Sequence, residues 1–115
     1  MDDWHQVLRS DSLRAGTLTR VVVNRRPLLV ARLEDGSLAA ASTVCPHEGE
    51  DLSGGTVYMG AVDCPRHHYL YDLRTGENRY PREVFPADLA ASLKPLPMYS
   101  VKEEGGWIFV GARKA

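Results

Sequence analysis

The stretch CPHEGEDLSGGTVYMGAVDCPRH, residues 45–67, contains both cysteines of the chain and two of its four histidines. Cys45 and His47 form one pair, and Cys64 and His67 form a second pair after sixteen intervening residues. Thiolate and imidazole groups are ligands that zinc, copper and iron–sulfur centres prefer. The intervening segment is long enough for a strand, a turn and a return strand, which would bring the two pairs together. The stretch therefore predicts one metal site built from two loops.

Residues that shape loops surround both pairs. Pro46 and Pro65 each follow a cysteine, and proline stiffens a loop by fixing φ and removing a backbone donor. Gly49, Gly54 and Gly55 allow the tight backbone paths that a bulky inorganic centre requires. The composition of the stretch is thus typical of two stiffened loop tips joined by a hairpin.

Each of the four side chains, taken alone, has an ordinary structural explanation, because lone cysteines and histidines are often packing or surface residues. A disulfide between Cys45 and Cys64 would leave both histidines without a role, and it is disfavoured in the cytosol. Tetrahedral zinc accepts two cysteines and two histidines, but its usual spacing groups like ligands together. Here each loop supplies one of each type. This alternation suits a binuclear centre with both cysteines on one iron and both histidines on the other, as in a Rieske [2Fe–2S] cluster.

The pattern C-x-H, sixteen residues, C-x-x-H resembles the Rieske motif. The resemblance extends to Leu52 and the glycines after it, to YDLRTGE (residues 71–77) and to GGWIFV (residues 105–110). Over its whole length the chain resembles the small soluble Rieske-type ferredoxins. That resemblance implies an all-β Rieske fold, in which an antiparallel sandwich or barrel base of roughly six or seven strands carries an inserted cluster-binding subdomain at about residues 43–81.

The resemblance also implies the cofactor and its ligands. One [2Fe–2S] cluster per chain is expected, with Cys45 and Cys64 on the inner iron. His47 and His67 would hold the outer iron through Nδ1. Neutral imidazoles stabilise ferric iron less than thiolates do, so the added electron should localise on the histidine iron, at a potential above that of an all-cysteine cluster. Exposed imidazole edges would give the electron a short route to a docked partner.

A second histidine, His68, follows His67, where the family usually has glycine. Two registers result, C-x-x-H with His67 and C-x-x-x-H with His68. We choose His67, because it keeps the expected spacing and the alignment of Tyr71. His68 is then predicted to face solvent beside the cluster, where it contacts the partner.

Residues beside the motif give mixed predictions for the reduction potential. High-potential respiratory Rieske proteins carry an extra cysteine in each loop and a serine two residues after the second histidine ligand. This chain has Glu50, Arg66 and Tyr69 in those regions, which resembles the low-potential ferredoxins. Tyr71 instead lies where the high-potential proteins carry a tyrosine whose hydroxyl bonds a ligand sulfur. Either that role or a plain core aromatic fits Tyr71, and our hypothesis is a potential somewhat above that of the usual low-potential ferredoxins.

Composition and charge predict one soluble domain with no affinity for nucleic acid or membranes. The chain has 115 residues, enough for a single compact domain, which we assign to residues 1–115. A net charge of −1, from 14 basic and 15 acidic residues, provides no strong field for nucleic acid or anionic lipid. No apolar run reaches the roughly 18 residues of a spanning helix. The amino-terminal sequence MDDWHQV is acidic and polar, unlike a secretory signal, so a cytoplasmic location is expected.

The rest of the chain has the pattern of short strands separated by turns. The dipeptide Asp35-Gly36 marks a tight hairpin. The segment FPADLAASLKP, residues 85–95, predicts about two turns of helix between prolines. Strands are predicted at residues 17–23, 27–33, 38–44, 56–59, 61–63, 69–72, 98–103 and 107–110.

These features predict a one-electron carrier and not an enzyme. An oxygenase would need a second, mononuclear iron on two histidines and a carboxylate, but only His5 and His68 are left once His47 and His67 are assigned. There is no G-x-G-x-x-G segment for a nicotinamide cofactor, so an NAD(P)H-dependent flavoprotein reductase is expected as the electron donor. The resemblance implies a terminal oxygenase of the ring-hydroxylating type as the acceptor, with docking near His47, His67 and His68.

Two other interpretations stay open. One is a small Rieske subunit of a nitrite reductase. The other, from a different class, is a zinc-stabilised β domain that acts as an interaction module. A red-brown protein with iron and labile sulfide would support the carrier, and a colourless protein with one zinc would support the module.

Overall fold

Ten strands in two antiparallel sheets make up the computed structural model over the residues that it describes, 4–44, 52–63, 70–80 and 95–114. Short 3₁₀ turns lie at Ser10–Ser12 and Leu52–Gly54. The strands are β1 (His5–Arg9), β2 (Thr17–Val23), β3 (Arg26–Arg32), β4 (Leu38–Ser42), β5 (Thr56–Tyr58), β6 (Ala61–Asp63), β7 (Leu70–Asp72), β8 (Asn78–Tyr80), β9 (Met98–Glu104) and β10 (Trp107–Arg113).

The larger sheet has six strands in the order β1-β10-β9-β4-β3-β2, and the smaller has four in the order β5-β6-β7-β8. All of the neighbouring strands pair antiparallel. Strand β1, at one edge of the larger sheet, lies beside β2 at the other edge, so this sheet curls toward a barrel. The predicted all-β class, with an antiparallel sandwich or barrel base, is therefore confirmed.

Strands β3 and β4 are covered on both faces. In β3, Leu29 and Ala31 share one face while Leu28 and Val30 share the other, and none of the four is more than 2% exposed. Alternate residues of a strand point to opposite sides, so a run of buried apolar residues requires cover on both. The outer core comprises Leu29, Ala31, Leu33, Ala39, Ala41, Leu52, Val62, Tyr71, Leu73, Leu96 and Met98, and the inner core comprises Leu13, Val21, Leu28, Val30, Ala40, Tyr99, Ile108 and Val110.

The smaller sheet is an insertion between β4 and β9. The chain leaves the larger sheet after Ser42 and returns to it at Met98. The Ser42 amide donates to the Pro97 carbonyl oxygen at 2.9 Å, and Ala41 pairs with Met98. The departure and return points are therefore hydrogen-bonded neighbours, and the insertion lies as a separate sheet over the outer core.

Most strands lie where the sequence predicts them, and two have identical bounds, Thr17–Val23 and Ala61–Asp63. Strands β1 and β8 were not predicted. A bulge between Gln6 and Leu8 breaks the alternation of β1, and β8 has only three residues. The predicted helix at 85–95 lies outside the described residues except for Pro95. No helix in the described part of the chain is long and apolar enough to cross a membrane; the cytoplasmic location stays a prediction.

The turn between β3 and β4, where a hairpin was predicted, binds the smaller sheet through two carboxylates. Glu34 Oε1 accepts from the Gly60 amide at 2.9 Å, and Asp35 Oδ2 pairs with Arg74 Nη2 at 2.8 Å. The Ser37 hydroxyl and amide both donate to Asp35, and together with Arg74 they lower the pKa of this carboxyl to about 2. The pKa of Glu34 is lowered as well, chiefly by its own backbone amide.

We expect D35N to lower the thermal midpoint slightly at pH 7, because both partners of the Asp35–Arg74 pair are about half exposed. A carboxyl whose pKa falls on folding stabilises the native state above its unfolded pKa, and this contribution disappears as the pH drops through the folded pKa. The gap between wild type and D35N should thus narrow as the pH falls from 3.8 toward about 2. Thermal unfolding followed by circular dichroism across this range measures the gap.

The variant S37A, which removes the largest cause of the shift, should lose more of this pH dependence than R74Q. Parallel pH curves for wild type and D35N would show that Asp35 does not contribute.

Candidate metal centre

The four predicted ligands, Cys45, His47, Cys64 and His67, lie outside the described residues, as does His68. The structure does describe the stems from which both ligand-bearing loops leave and return, so the position of the site can be argued from those stems.

Each loop is closed at its base by backbone pairing. The Leu52 amide donates to the Thr43 carbonyl oxygen at 2.5 Å, which closes the loop that carries Cys45 and His47. Asp63 and Leu70 are antiparallel partners at the ends of β6 and β7, which closes the loop that carries Cys64 and His67. Both ligand pairs therefore lie in loops whose bases are fixed by hydrogen-bonded backbone.

The two loop bases touch at Gly55. The Gly55 amide donates to the Leu52 carbonyl oxygen at 2.9 Å, and the next residue, Thr56, pairs with Asp63. A Cβ atom at Gly55 would overlap the carbonyl oxygen of Asp63 and come within 3.2 Å of that of Leu52. Only glycine lets the return of the first loop lie this close to the start of the second. The described stems on either side of the two Cys/His pairs thus lie at one end of the smaller sheet.

Three fully buried side chains pack beneath the loop bases. Leu52, Val62 and Tyr71 are all 0% exposed and belong to the outer core. Val62 and Tyr71 pair across β6 and β7, so their positions are set by the strands that lead into and out of the second loop. Burial makes the Tyr71 ring part of the core; whether its hydroxyl also bonds a ligand sulfur stays a prediction.

The turn after β7 fixes the return of the chain toward β9. The Gly76 amide donates to the Asp72 carbonyl at 2.7 Å, and the Leu96 amide donates to the Gly76 carbonyl at 2.7 Å. Gly76 has a positive φ of 84°, and a Cβ there would overlap the Leu96 carbonyl oxygen. The sequence predicts a turn at this place, but it gives no sign that the glycine is needed for this second contact.

The donor set and the stems together fit a binuclear iron–sulfur centre with mixed ligation. Adjoining loop bases meet the requirement that one site receives a thiolate and an imidazole from each loop. Within the parts of the chain that the structure describes, no three His, Cys, Asp or Glu side chains are grouped to hold a metal ion.

Comparison with known proteins finds one matching family model and several similar ferredoxins. Residues 3–90 match the family model of the Rieske [2Fe-2S] domain. Ferredoxin CarAc of Metapseudomonas resinovorans is 30% identical over 112 residues, which cover 96% of this chain and 95% of that protein. The ferredoxin subunit of anthranilate 1,2-dioxygenase from Burkholderia cepacia is 35% identical over 74 residues, 64% of this chain and 68% of that protein.

Solved structures show the same architecture. A chain in the complex of reduced oxygenase and oxidized ferredoxin of carbazole 1,9a-dioxygenase has a TM-score of 0.78 and 27% identity, over 97% of this chain and 96% of that one. An NADH-dependent nitrite reductase small subunit from Mycobacterium tuberculosis has a TM-score of 0.79 over 100% of this chain and 99% of that one, but at 22% identity it shows likeness of fold alone. Several oxygenases also match, and this chain spans 19% to 32% of their length.

The close contact at Gly55 predicts that G55A is destabilising and impairs cluster retention. The added methyl group would push the two loop bases apart, at a cost of about 1–3 kcal/mol. Urea unfolding and the iron content per chain measure the two effects.

The matched control is G36A, because a Cβ at Gly36 meets no atom within 4 Å, so only its φ of 91° carries a cost. We expect G36A to retain normal iron content. Equal iron loss in both variants would show that the Gly55 contact does not position the loops.

Proposed function

The chain belongs to the Rieske [2Fe-2S] domain family, and we propose that it is an electron carrier that serves a terminal oxygenase. The observation that carries this proposal is the contact at Gly55 between the stems that flank the two Cys/His pairs of the sequence. The match to ferredoxin CarAc over nearly the whole of both chains supports a carrier and not a catalytic subunit. The anthranilate 1,2-dioxygenase ferredoxin subunit supports an oxygenase as the acceptor.

We assign the ligands by the motif that the family shares. Cys45 and Cys64 would hold one iron, and His47 and His67 would hold the other, in one cluster per chain. When bound, the cluster supplies a one-electron couple between its oxidised and reduced forms. The protein would hold the two loop bases against each other, with Leu52 and other buried apolar residues packed beneath them.

The cluster-binding subdomain is proposed at about residues 43–81 within a single domain of residues 1–115. The separate four-stranded sheet over the outer core supports this division. The described stems of both loops lie at the end of that sheet where Asp63 pairs with Leu70, opposite to the β5–β6 turn at Met59 and Gly60. A partner would dock there, near His47, His67 and His68.

The electron donor is proposed to be an NAD(P)H-dependent flavoprotein reductase. The described residues form only strands, turns and short 3₁₀ segments, whereas dinucleotide binding by a Rossmann fold needs a strand-to-helix unit. A separate protein would therefore have to bind the nicotinamide cofactor. The acceptor would be an oxygenase of the ring-hydroxylating type, in line with the dioxygenase ferredoxins that the chain resembles.

A small subunit of a nitrite reductase is the second candidate, favoured by the fold likeness over the full chain. Electron delivery separates the two candidates: reduced protein would be mixed with a ring-hydroxylating oxygenase or with a nitrite reductase, and turnover of each enzyme would be measured. Turnover supported only by the nitrite reductase would replace the oxygenase proposal. A zinc-bound, colourless protein would refute both.

Protein purified without exposure to oxygen should be red-brown, with two irons and two labile sulfides per chain. H67A should lose the cluster, because it removes one of the two imidazole ligands. H68A should keep the visible spectrum and the rhombic paramagnetic resonance signal of the reduced centre, since His68 is assigned outside the ligand set. Retention in H67A together with loss in H68A would move the ligand to His68.

Tyr71 provides a test of the reduction potential. If its hydroxyl bonds a ligand sulfur, removing that bond in Y71F destabilises the more negative reduced centre, so the potential falls. Protein-film voltammetry measures the change. Y58F is the matched control, because Tyr58 is 54% exposed and lies at the far end of β5; its potential should equal that of wild type. An unchanged potential in Y71F would leave Tyr71 with its core role alone.

A further inference from the structure

Four exposed cations lie at the end of the larger sheet from which β4 runs into Cys45. Three hydrogen bonds fix this end: the Thr43 hydroxyl donates to the Pro27 carbonyl at 3.4 Å, the Ser42 amide to the Pro97 carbonyl at 2.9 Å, and the Lys114 amide to the Met98 carbonyl at 2.8 Å. The cations are those of the β2–β3 turn and of the end of β10. We call this group the basic edge: Arg25, Arg26, Arg113 and Lys114.

The basic edge differs from the other end of the larger sheet in its ion pairing. At that other end, Arg32 pairs with Glu103 at 2.8 Å and Lys102 pairs with Glu104 at 3.2 Å. None of the four basic-edge side chains pairs with a carboxylate among the residues that the structure describes. In the described part of the larger sheet and its turns, the carboxylates cluster at the far end, at Asp11, Glu34, Asp35, Glu103 and Glu104.

The backbone at Arg25 is in a conformation that glycine would adopt more readily. Asn24 and Arg25 form a two-residue hairpin turn with φ values of 51° and 66°. This turn favours Asn followed by Gly, and a left-handed residue with a Cβ is strained by about 1–2 kcal/mol. Backbone strain at an exposed residue is a reason to look for a function. Here the strained residue carries a guanidinium group at the tip of the turn.

A shallow cleft of about 370 Å³ adjoins the turn and contains cationic and neutral groups only. Arg26 Nη1 donates to the Tyr99 hydroxyl at 3.2 Å, and Arg113 is the strand partner of Tyr99. Both arginines therefore line the cleft beside this phenol and His5. Two arginines lining one cleft suit a carboxylate, which a guanidinium group binds with two parallel hydrogen bonds.

We propose that the basic edge is a docking surface for an acidic face on the protein that exchanges electrons with the cluster. This inference rests on the proposed function. A small free anion would use only the cleft and would leave Arg25 and Lys114 without a role. A carboxylate-bearing protein surface meets all four cations, because they extend from the turn across to the end of β10. Opposite charges on the two surfaces would also steer the encounter.

Charged inorganic oxidants test the proposal without an identified partner. Reduced protein would be mixed by stopped flow with ferricyanide, an anion, or with hexaamminecobalt(III), a cation, each of which accepts one electron. At an ionic strength of about 0.01 M, where the Debye length is about 30 Å, the double variant R113E/K114E should slow ferricyanide and speed hexaamminecobalt(III), each by at least about threefold.

The matched control is R9E/R14E, which also reverses two charges, because Arg9 and Arg14 are exposed and lie at the opposite end of the larger sheet. R9E/R14E should change both rates far less than R113E/K114E does. The proposal is overturned if the two double variants change the rates equally, or if added salt speeds the ferricyanide reaction of wild type, as an acidic field from Glu48, Glu50 and Asp51 would produce. A colourless protein that reduces neither oxidant would instead refute the proposed function.

Two measurements do not depend on the cluster. R25G should raise the thermal midpoint or leave it unchanged while weakening binding of a decaglutamate peptide, because glycine relieves the turn but removes a charge. Amide shifts in a ¹⁵N-labelled sample titrated with that peptide at low salt should concentrate at residues 24–26 and 112–114. Shifts scattered over the whole surface, or equal binding by R25G and wild type, would contradict the proposal.

Discussion

Burial of both faces of β3 and β4 is the constraint on which the rest of the structure depends. These strands present apolar side chains alternately to the inner and the outer core, and neither face can be left to solvent without loss of most of the hydrophobic stabilisation. Curling of the larger sheet covers one face. The smaller sheet covers the other, and the stems at Leu52 and at Asp63 and Leu70 lead into and out of this sheet. The proposed cluster-binding loops would thus be supported by the same apolar surface that stabilises the fold.

The second requirement is that two loops far apart in sequence leave from adjoining points. Hydrogen bonding closes each loop, and the pairing of Thr56 with Asp63 joins the two stems. Gly55 permits this pairing, because it lets one stem lie against the other at a distance that no side chain permits. Tyr71 and Val62 then hold the strands below that contact in register. In the proposed site, different residues would therefore set ligand identity and ligand placement.

Much of the fold and the kind of metal centre could be predicted from the sequence. The β-branched and apolar run Thr17–Val23 and the Asp35-Gly36 signal predict a strand and a turn at their observed places, and the ligand motif predicts the Rieske domain that the family match shows. Local patterns fail where a non-local partner decides the outcome. Strand β1 depends on pairing with β10 around a bulge, and the role of Gly76 depends on Leu96, twenty residues later in the chain. The spacing of residues along the sequence does not indicate contacts between segments that are far apart in the chain.

The hydrogen bond between Ser42 and Pro97 has an evolutionary consequence. Because the chain departs and returns at neighbouring points, the strand connections of the larger sheet would be complete even without the inserted segment. Topologically, the insertion is a module that could be transplanted onto another sheet. Energetically it is not, because its removal would expose Leu29, Ala31 and Ala41 to water. Any ancestor that lacked the insertion must have covered that face by other means, such as a helix or a second copy of itself.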